Sequence, residues 1–170
     1  MAADGDVRVP PADLPFDVGN AWNITRTMAN STVCFTGFAR FSAQLRKSEL
    51  SPRLREVVIL RVGVLLGCDY EWGRHVHRAR AAGLTDDDIR AIRSGELHML
   101  DEVEALVARY ADAVEARSVT DILWAEVQSR FDVAEAVELT TFAAFYSFVC
   151  RFLLALNVPL DNDIHGFEVP

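Results

Sequence analysis

Residues 51–84 read SPRLREVVILRVGVLLGCDYEWGRHVHRARAAGL and contain the clearest helix signals of the chain. Ser51 followed by Pro52 is typical of a helix start, because Ser accepts a hydrogen bond from a free backbone N–H and Pro has none to satisfy. Gly67 ends this helix after an apolar run, and Gly83 ends the next one. The stretch therefore predicts two consecutive helices, at about 52–66 and 70–82.

The same signals recur along the rest of the chain. Patterns of the capping-box type begin at Thr85 and Asp132, while Thr120 and Asp69 are further expected N-caps. No apolar run of period two with hairpin turns occurs, so strands are not expected. Further predicted helices span about 20–30, 32–47, 85–93, 97–117, 121–131 and 133–156. We predict an all-α, single-domain, multi-helix bundle of seven or eight helices, in which an extended arm (1–16) and a tail (161–170) flank the domain (17–160).

The sequence also predicts where the phenylalanines of the second helix, Trp22 and the C-terminal tail lie. Phe35, Phe38 and Phe41 share one face of their predicted helix, and we interpret them as core residues and not as a substrate site. Trp22 is interpreted in the same way. The tail lacks the alternating carboxylates of a calcium loop, so it is expected to be a surface segment or a clasp between subunits.

The last predicted helix is apolar on all sides, so it must be surrounded by other groups. Arg151 lies near its middle, and a charge there costs roughly 2.5–3.5 kcal/mol on membrane insertion. We therefore expect no membrane partner but a helix buried in the core and against other copies of the chain. The sequence predicts a homo-oligomer.

Length and charge exclude several classes of protein. A chain of 170 residues forms one domain on the usual prior, and its net charge of −8 argues against nucleic acid and anionic membranes. The N-terminus has no apolar segment of the secretory type. Cys34, Cys68 and Cys150 are widely spaced and include no CxxC pair, which favours free thiols in a reducing cytoplasm.

Cys68, Glu71 and His75 are spaced by three and four residues, which places them on one stripe of the second helix. A carboxylate four residues before a His favours the imidazolium and orients the ring. A Cys at a helix N-terminus is favoured as thiolate. Tyr70 and Trp72 flank the stripe and are predicted to form an apolar wall of a substrate site.

Glu56 belongs to the first of the two helices and adjoins an apolar run, so partial burial is expected to raise its pKa into a range useful for proton transfer. Alternatives stay open: Glu56 can pair with Arg53 or Arg55, and Glu71 with His75 can be a plain surface pair. His77 cannot share a metal ion with His75, because residues two apart point to opposite sides of a helix. We predict no metal site.

The order Arg55-Glu56, then Tyr70-Glu71-Trp72 with His75, then Ala82-Gly83-Leu84 resembles the carboxymuconolactone decarboxylase-like family, which includes the alkylhydroperoxidase D-like (AhpD-like) proteins. The resemblance follows the helix order over about 20–158 and is sharpest over 54–92. It implies an all-helical fold that assembles into trimers or hexamers. It is specific for the superfamily and not for one reaction.

The peroxidase members of that family use a Glu, a CxxC pair and a His, which correspond here to Glu56, Cys68 and His75. Glu71 stands where the second Cys would be, so Cys68 has no neighbouring thiol with which to close a disulfide. The resemblance therefore favours a cofactor-free acid–base enzyme, with catalytic Glu56, Cys68, Glu71 and His75, that acts on a small carboxylated or lactone-like molecule. Arg74 and Arg78 are the expected substrate-binding cations.

Two alternatives remain. The first is a hydroperoxide reductase that uses Cys68 alone with an external thiol. The second is a helical oligomer that binds a small ligand and catalyses nothing. Burial of Glu56 and His75 in one pocket favours an enzyme, whereas their separation at the surface favours the binding protein.

Overall fold

The computed structural model describes residues 7–12 and 22–168, which are almost entirely helical and include no β-strand. The predicted arm at 1–16 therefore lies outside the described residues except for 7–12, and the last two residues of the tail also lie outside them. Two short 3₁₀ turns occur at Leu97–Met99 and Gly166–Glu168. The α-helices of the described part are α1 (Asn23–Met28), α2 (Thr32–Leu45), α3 (Pro52–Leu65), α4 (Asp69–Ala81), α5 (Asp86–Ser94), α6 (Glu102–Ala116), α7 (Asp121–Arg130) and α8 (Val133–Leu156).

The all-α prediction is confirmed, and most helices begin where the sequence places them. The Ser51 side chain accepts from the backbone N–H of Leu54 at 3.2 Å. At Thr85 and at Asp132 both halves of the capping box are present. These caps satisfy backbone N–H groups that have no partner inside a helix.

Two boundaries differ from the sequence prediction. Asp69 is the first residue of α4 and not its cap; Cys68 occupies the N-cap, and no side chain there bonds the helix. The predicted helix over 97–117 is broken, because the Asp101 carboxylate accepts from the backbone N–H groups of Val103 and Glu104 and starts α6 anew. A local side-chain cap thus outweighs the continuous apolar periodicity.

The core is organised around α3. Its residues 57–60 are all buried, and four consecutive residues cover every side of a helix. Accordingly, α3 packs against α4, α6 and α8. The central helix of the molecule is therefore the one that follows the Ser51-Pro52 start signal.

Helix α8 is covered on one side only by the part of the chain that the structure describes. Val149 and Leu153 are buried, whereas Val133, Val137 and Phe148 are at least half exposed. Among the described helices α8 alone is long and apolar enough to cross a membrane by length and composition, a test that core helices also pass. The second side of α8 thus offers apolar surface that residues 7–12 and 22–168 leave uncovered.

The interpretation of the α2 phenylalanines as core residues is wrong. No residue of α2 is buried, and Phe41 is 45% exposed. Phe38 and Phe41 contact Phe145 of α8, with ring centroids 5.7 and 5.0 Å apart. The α2 phenylalanines are not core residues because α2 lies over a cavity and does not pack into the centre of the bundle.

The C-terminal tail folds onto α4 of its own chain. Phe167 packs on Trp72 with ring centroids 5.4 Å apart. A Cβ at Gly73 would lie 2.9 Å from the backbone nitrogen of Gly166, so only glycine permits this approach. Asp161 joins the tail to α1 and α4, since it accepts from the Asn23 backbone at 2.7 Å and from Arg74 at 2.5 Å.

Candidate functional site

Helices α3 and α4 form a tight hairpin that brings distant side chains of the sequence together. The turn between them closes when the backbone N–H of Cys68 donates to the carbonyl of Gly63 at 2.8 Å. A Cβ at Gly63 would lie 3.6 Å from the Trp72 nitrogen, so α4 starts directly against α3. This close approach aligns Glu56 of α3 with His75 of α4.

His75 lies between two carboxyl groups. Its Nδ1 is 2.7 Å from Oε2 of Glu56, a short hydrogen bond, and its Nε2 is 3.3 Å from Oε2 of Glu71. The three side chains are only 5–13% exposed. The alternatives in which Glu56 pairs with an arginine do not occur: Arg53 instead bonds Glu104 and Asp88. Glu56 and His75 are thus brought together in the interior.

The charge state of His75 follows from this arrangement. Burial alone lowers the pKa of an imidazole, because it disfavours the charged form. The facing carboxyl groups of Glu56 and Glu71 outweigh burial and raise the pKa of His75 to about 9. At neutral pH the ring is therefore an imidazolium that can donate from both nitrogens, one toward each carboxyl group.

This pKa predicts a pH dependence of stability. The folded protein holds the His75 proton up to about pH 9, whereas the unfolded chain releases it near 6.5. The stabilisation is complete below pH 6.5 and is lost as the pH rises through 9, a change of roughly 3 kcal/mol. Urea unfolding at pH 6.5 and 9.5 should therefore show a larger loss of free energy in the wild type than in His75→Gln; equal losses contradict the assignment.

Tyr146 of α8 completes the surroundings of the imidazole. Its ring meets the edge of His75 with centroids 5.1 Å apart. Burial, and then the carboxyl groups of Glu71 and Glu56, raise the pKa of Tyr146, although Arg78 and Arg46 oppose this. The phenol is therefore neutral at ordinary pH and able to donate a hydrogen bond.

A cavity of about 240 Å³ opens beside these groups, between α2, α4 and α8. Glu71 and His75 line it from α4, whereas Glu56 bonds the far side of the His75 ring and does not line it. Pockets that are mainly apolar with a few converging polar groups are typical of small-molecule sites. The lining comprises Trp22, Ile24, Thr25, Phe35, Phe38, Ala39, Ser42, Arg46, Tyr70, Glu71, Arg74, His75, Arg78, Phe145, Tyr146 and Val149.

The four predicted substrate-binding residues differ in their positions. Tyr70 and Arg78 line the cavity. Arg74 also lines it, but its guanidinium is bound to Asp161 at 2.5 Å and to Asp163 at 2.8 Å. Trp72 is fully buried in the core and does not line the cavity. Of the two predicted substrate-binding cations, Arg78 is therefore the one that forms no ion pair with the described residues. Its guanidinium lies over the Trp22 ring, 5.0 Å from the ring centroid.

Cys68 has a partner that its neighbours in sequence do not reveal. Cys68, the N-cap of α4, and Cys150 of α8 are both buried, and the two thiols lie close enough to affect each other's protonation. The neighbouring Cys68 thiol, and then burial, raise the pKa of the Cys150 thiol well above its usual range. Neither sulfur lines the cavity. The absence of CxxC thus does not leave Cys68 without a nearby thiol.

Sequence reasoning missed the cavity residues that come from α2 and α8. Ser42 and Arg46 lie one helical turn apart at the end of α2, and Tyr146 lies on α8. The spacing of the α2 phenylalanines was a usable signal, but it does not tell a core face from a cavity face. Among the described residues, no group of three or more His, Cys, Asp or Glu is arranged to hold a metal ion.

Fold and site together define an all-helical protein with a histidine held between two carboxyl groups beside an aromatic cavity. The sequence profile of the carboxymuconolactone decarboxylase family matches residues 34–117, which include α3, α4 and the side chains of Glu56, Glu71 and His75. The chain belongs to the carboxymuconolactone decarboxylase family.

Similar solved structures carry the same fold at low sequence identity. ATU0492 from Agrobacterium tumefaciens, a protein of unknown function proposed to be the antioxidant defence protein AhpD, has a TM-score of 0.73 at 20% identity, over 78% of this chain and 94% of that one. An uncharacterised peroxidase-related protein from Silicibacter sp. TM1040 has a TM-score of 0.77 at 16% identity, over 88% of this chain and 82% of that one. The apo debrominase Bmp8 has a TM-score of 0.73 at 16% identity, over 86% of this chain and 81% of that one. A comparison with curated proteins gives no significant match.

Proposed function

We propose that the chain is a cofactor-free acid–base enzyme that acts on a small carboxylated or lactone-like molecule by decarboxylation or a related proton transfer. The observation that carries the proposal is the buried imidazolium of His75 between Glu56 and Glu71 at the wall of the cavity. Paired acid and base groups with shifted pKa values in a pocket are typical of catalytic sites. Membership of the family supports the same class of chemistry.

In this proposal the roles follow from position. Glu56 lies behind the ring, holds Nδ1 and stabilises the imidazolium. His75 and Glu71 face the substrate, so they deliver and accept the proton. As CO₂ leaves, the electron pair of the broken C–C bond is delocalised into the unsaturated substrate, and the carbanion takes a proton from His75 by way of Glu71. The aromatic walls of the cavity offer an apolar surface to the uncharged part of the substrate.

A panel of unsaturated lactone acids and enoic acids tests the proposed reaction. We expect CO₂ release or a shifted double bond with at least one member, and a rate that falls by roughly 10²-fold or more in Glu71→Gln. Glu115→Gln is the matched control, since Glu115 does not line the cavity. Binding of panel members without any turnover would instead favour a ligand-binding protein.

A second candidate function is a thiol-dependent hydroperoxide reductase, and the contact between Cys68 and Cys150 favours it. Cys68 sulfur would attack the peroxide, releasing an alcohol and leaving a sulfenic acid. The Cys150 thiol would then form a disulfide with release of water, and an external dithiol would reduce the disulfide. The burial of both thiols outside the cavity argues for the acid–base function instead.

The cysteine contact gives a prediction of its own. Limited treatment with an organic hydroperoxide should join Cys68 to Cys150, seen as a disulfide-linked peptide pair by mass spectrometry. Cys34, which is exposed, is replaced by Ser throughout to remove intermolecular products. If Cys150→Ser leaves peroxide consumption with added dithiol unchanged, Cys150 has no part in such a cycle.

We also propose that the chain assembles through the uncovered side of α8. Val133, Val137 and Phe148 are spaced by four and eleven residues, so they share one exposed apolar stripe. Burying this stripe against another copy removes apolar surface from water. Light scattering should give a mass three or six times the 18.9 kDa of the chain, and Val137→Lys should lower it. A wild-type mass of one chain at every concentration contradicts this proposal.

A further inference from the structure

Ser42 has a hydroxyl group that finds no hydrogen-bond partner among the described residues. Its Oγ is buried and makes no hydrogen bond with any group of the described residues. Buried hydroxyls are almost always hydrogen-bonded, because an unsatisfied one costs about 1–3 kcal/mol. Ser42 lines the cavity, so a rotation of its side chain to another rotamer would bring the hydroxyl to a ligand bound there.

Two guanidinium groups line the same cavity without a carboxylate partner. Among the described residues neither Arg46 nor Arg78 has an ion pair, unlike Arg74. Arg46 lies one helical turn after Ser42, and the two line the cavity from α2, whereas Arg78 lines it from α4. Both arginines are close enough to Tyr146 to act on its phenol electrostatically. Two cations and a hydroxyl-bearing residue therefore line the same cavity.

The position of Arg46 is fixed by contacts that do not use its side chain. The Arg55 guanidinium donates to the carbonyl of Arg46 at 3.3 Å, which ties the end of α2 to α3. Just beyond, the Glu138 carboxylate of α8 accepts from the Ser48 hydroxyl at 2.6 Å and from the Glu49 backbone at 3.1 Å. The arginine is thus presented from an anchored backbone, as a preorganised binding group requires.

The rest of the cavity defines what the anion is attached to. Phe35, Phe38, Phe145 and Tyr146 supply aromatic walls, which favour flat, unsaturated groups. A volume of about 240 Å³ is below the usual range of ~300–1,000 Å³ for ligand pockets, so the ligand is small. His75 and Glu71 lie on the wall that α4 provides, about one turn and two turns before Arg78.

We infer that Ser42, Arg46 and Arg78 form a carboxylate-binding subsite, which selects a small, flat, unsaturated carboxylate. The subsite rests on the proposed function, for which it names the substrate class. A carboxylate bound by two guanidinium groups is stabilised as an anion. It is therefore the group that anchors the substrate and stays on it, while the reacting carbon lies toward His75 and Glu71. A decarboxylation at that carbon removes a second carboxyl group of the substrate, whereas a shift of a double bond needs only the anchoring one. Arg46 and Ser42 are specificity-determining residues in this account.

Binding of benzoate and of its neutral isostere benzamide tests the subsite without any turnover. The dissociation constants are measured by calorimetry for the wild type and for Ser42→Ala, Arg46→Met and Arg78→Met. Arg40→Met is the matched control, because Arg40 lies on α2, is exposed and does not line the cavity. Melting curves establish that each variant is folded.

We expect the wild type to prefer benzoate, with weaker binding as salt is added. Arg46→Met and Arg78→Met should each weaken benzoate about tenfold or more, Ser42→Ala should weaken it about threefold or more, and benzamide should change little. Arg40→Met should leave both ligands unchanged. Equal binding of the two ligands, binding of neither, or an unchanged benzoate affinity in Arg46→Met and Arg78→Met overturns the subsite.

The outcome separates the subsite from the proposed function. If the benzoate pattern appears but Glu71→Gln retains full turnover of an acid, the subsite stands and the acid–base mechanism falls. If Glu71→Gln abolishes turnover while the arginine variants bind benzoate as the wild type does, the mechanism stands and the subsite falls.

Discussion

Replacing His75 by Gln is expected to lower turnover of an acid substrate by roughly 10²–10⁴-fold, the largest effect on activity that the site predicts. Gln keeps a side-chain amide that can still donate to Glu56 or Glu71, but it cannot transfer a proton. Because the pKa of His75 is raised to about 9, the wild-type rate should fall as the pH rises through 9 if the imidazolium is the proton donor. Stopped assays between pH 6 and 10 measure both effects.

His77→Gln is the control for this substitution. His77 lies on the same helix two residues away, is exposed and does not line the cavity. Its replacement should leave the rate and the pH profile unchanged. A His75→Gln enzyme that is folded by circular dichroism and as active as the wild type excludes His75 as the acid–base residue.

Asp161→Ala is expected to destabilise the protein by roughly 3–5 kcal/mol, because it removes one partner of a buried ion pair. The Asp161 side chain is 11% exposed and that of Arg74 is 10% exposed. Asp161 also accepts from the Tyr70 hydroxyl and from the Asn23 backbone. Its loss leaves a guanidinium without its buried carboxylate and separates the tail from α4, so the melting temperature should fall by roughly 10 °C.

Asp163→Ala provides the matched comparison. Asp163 binds the same guanidinium at 2.8 Å, but its side chain is 69% exposed, and water replaces such a partner at little cost. Thermal melts of the two variants should therefore differ clearly. Similar melting temperatures would mean that the tail contributes little to the fold and that Arg74 is not held by Asp161.

The sequence was sufficient for those parts of the site that depend on local spacing. Glu71 and His75 lie one turn apart on α4, and the family pattern added Glu56 across the hairpin. The sequence also predicted most helix starts, because an N-cap depends on residues within one helical turn. The predicted helix over 97–117 was wrong for the same reason: Asp101 forms a cap whose strength apolar periodicity does not reveal.

The remaining parts of the site depend on contacts between distant segments. Ser42 and Arg46 reach the cavity because α2 lies over it, and Cys150 meets Cys68 because α8 packs beside α4. No spacing rule connects residues that are about 30 or 80 positions apart. The preference of Arg74 for the tail over the cavity likewise depends on where Asp161 folds back.

The most direct test of the acid–base account compares wild type, Cys68→Ser and His75→Gln in two assays run side by side. One assay follows an organic hydroperoxide with an added dithiol, and the other follows loss or rearrangement of unsaturated carboxylates. The account predicts that Cys68→Ser keeps the turnover of a carboxylate and that His75→Gln loses it. Hydroperoxide turnover in the wild type that Cys68→Ser abolishes, with no carboxylate consumed, would contradict it.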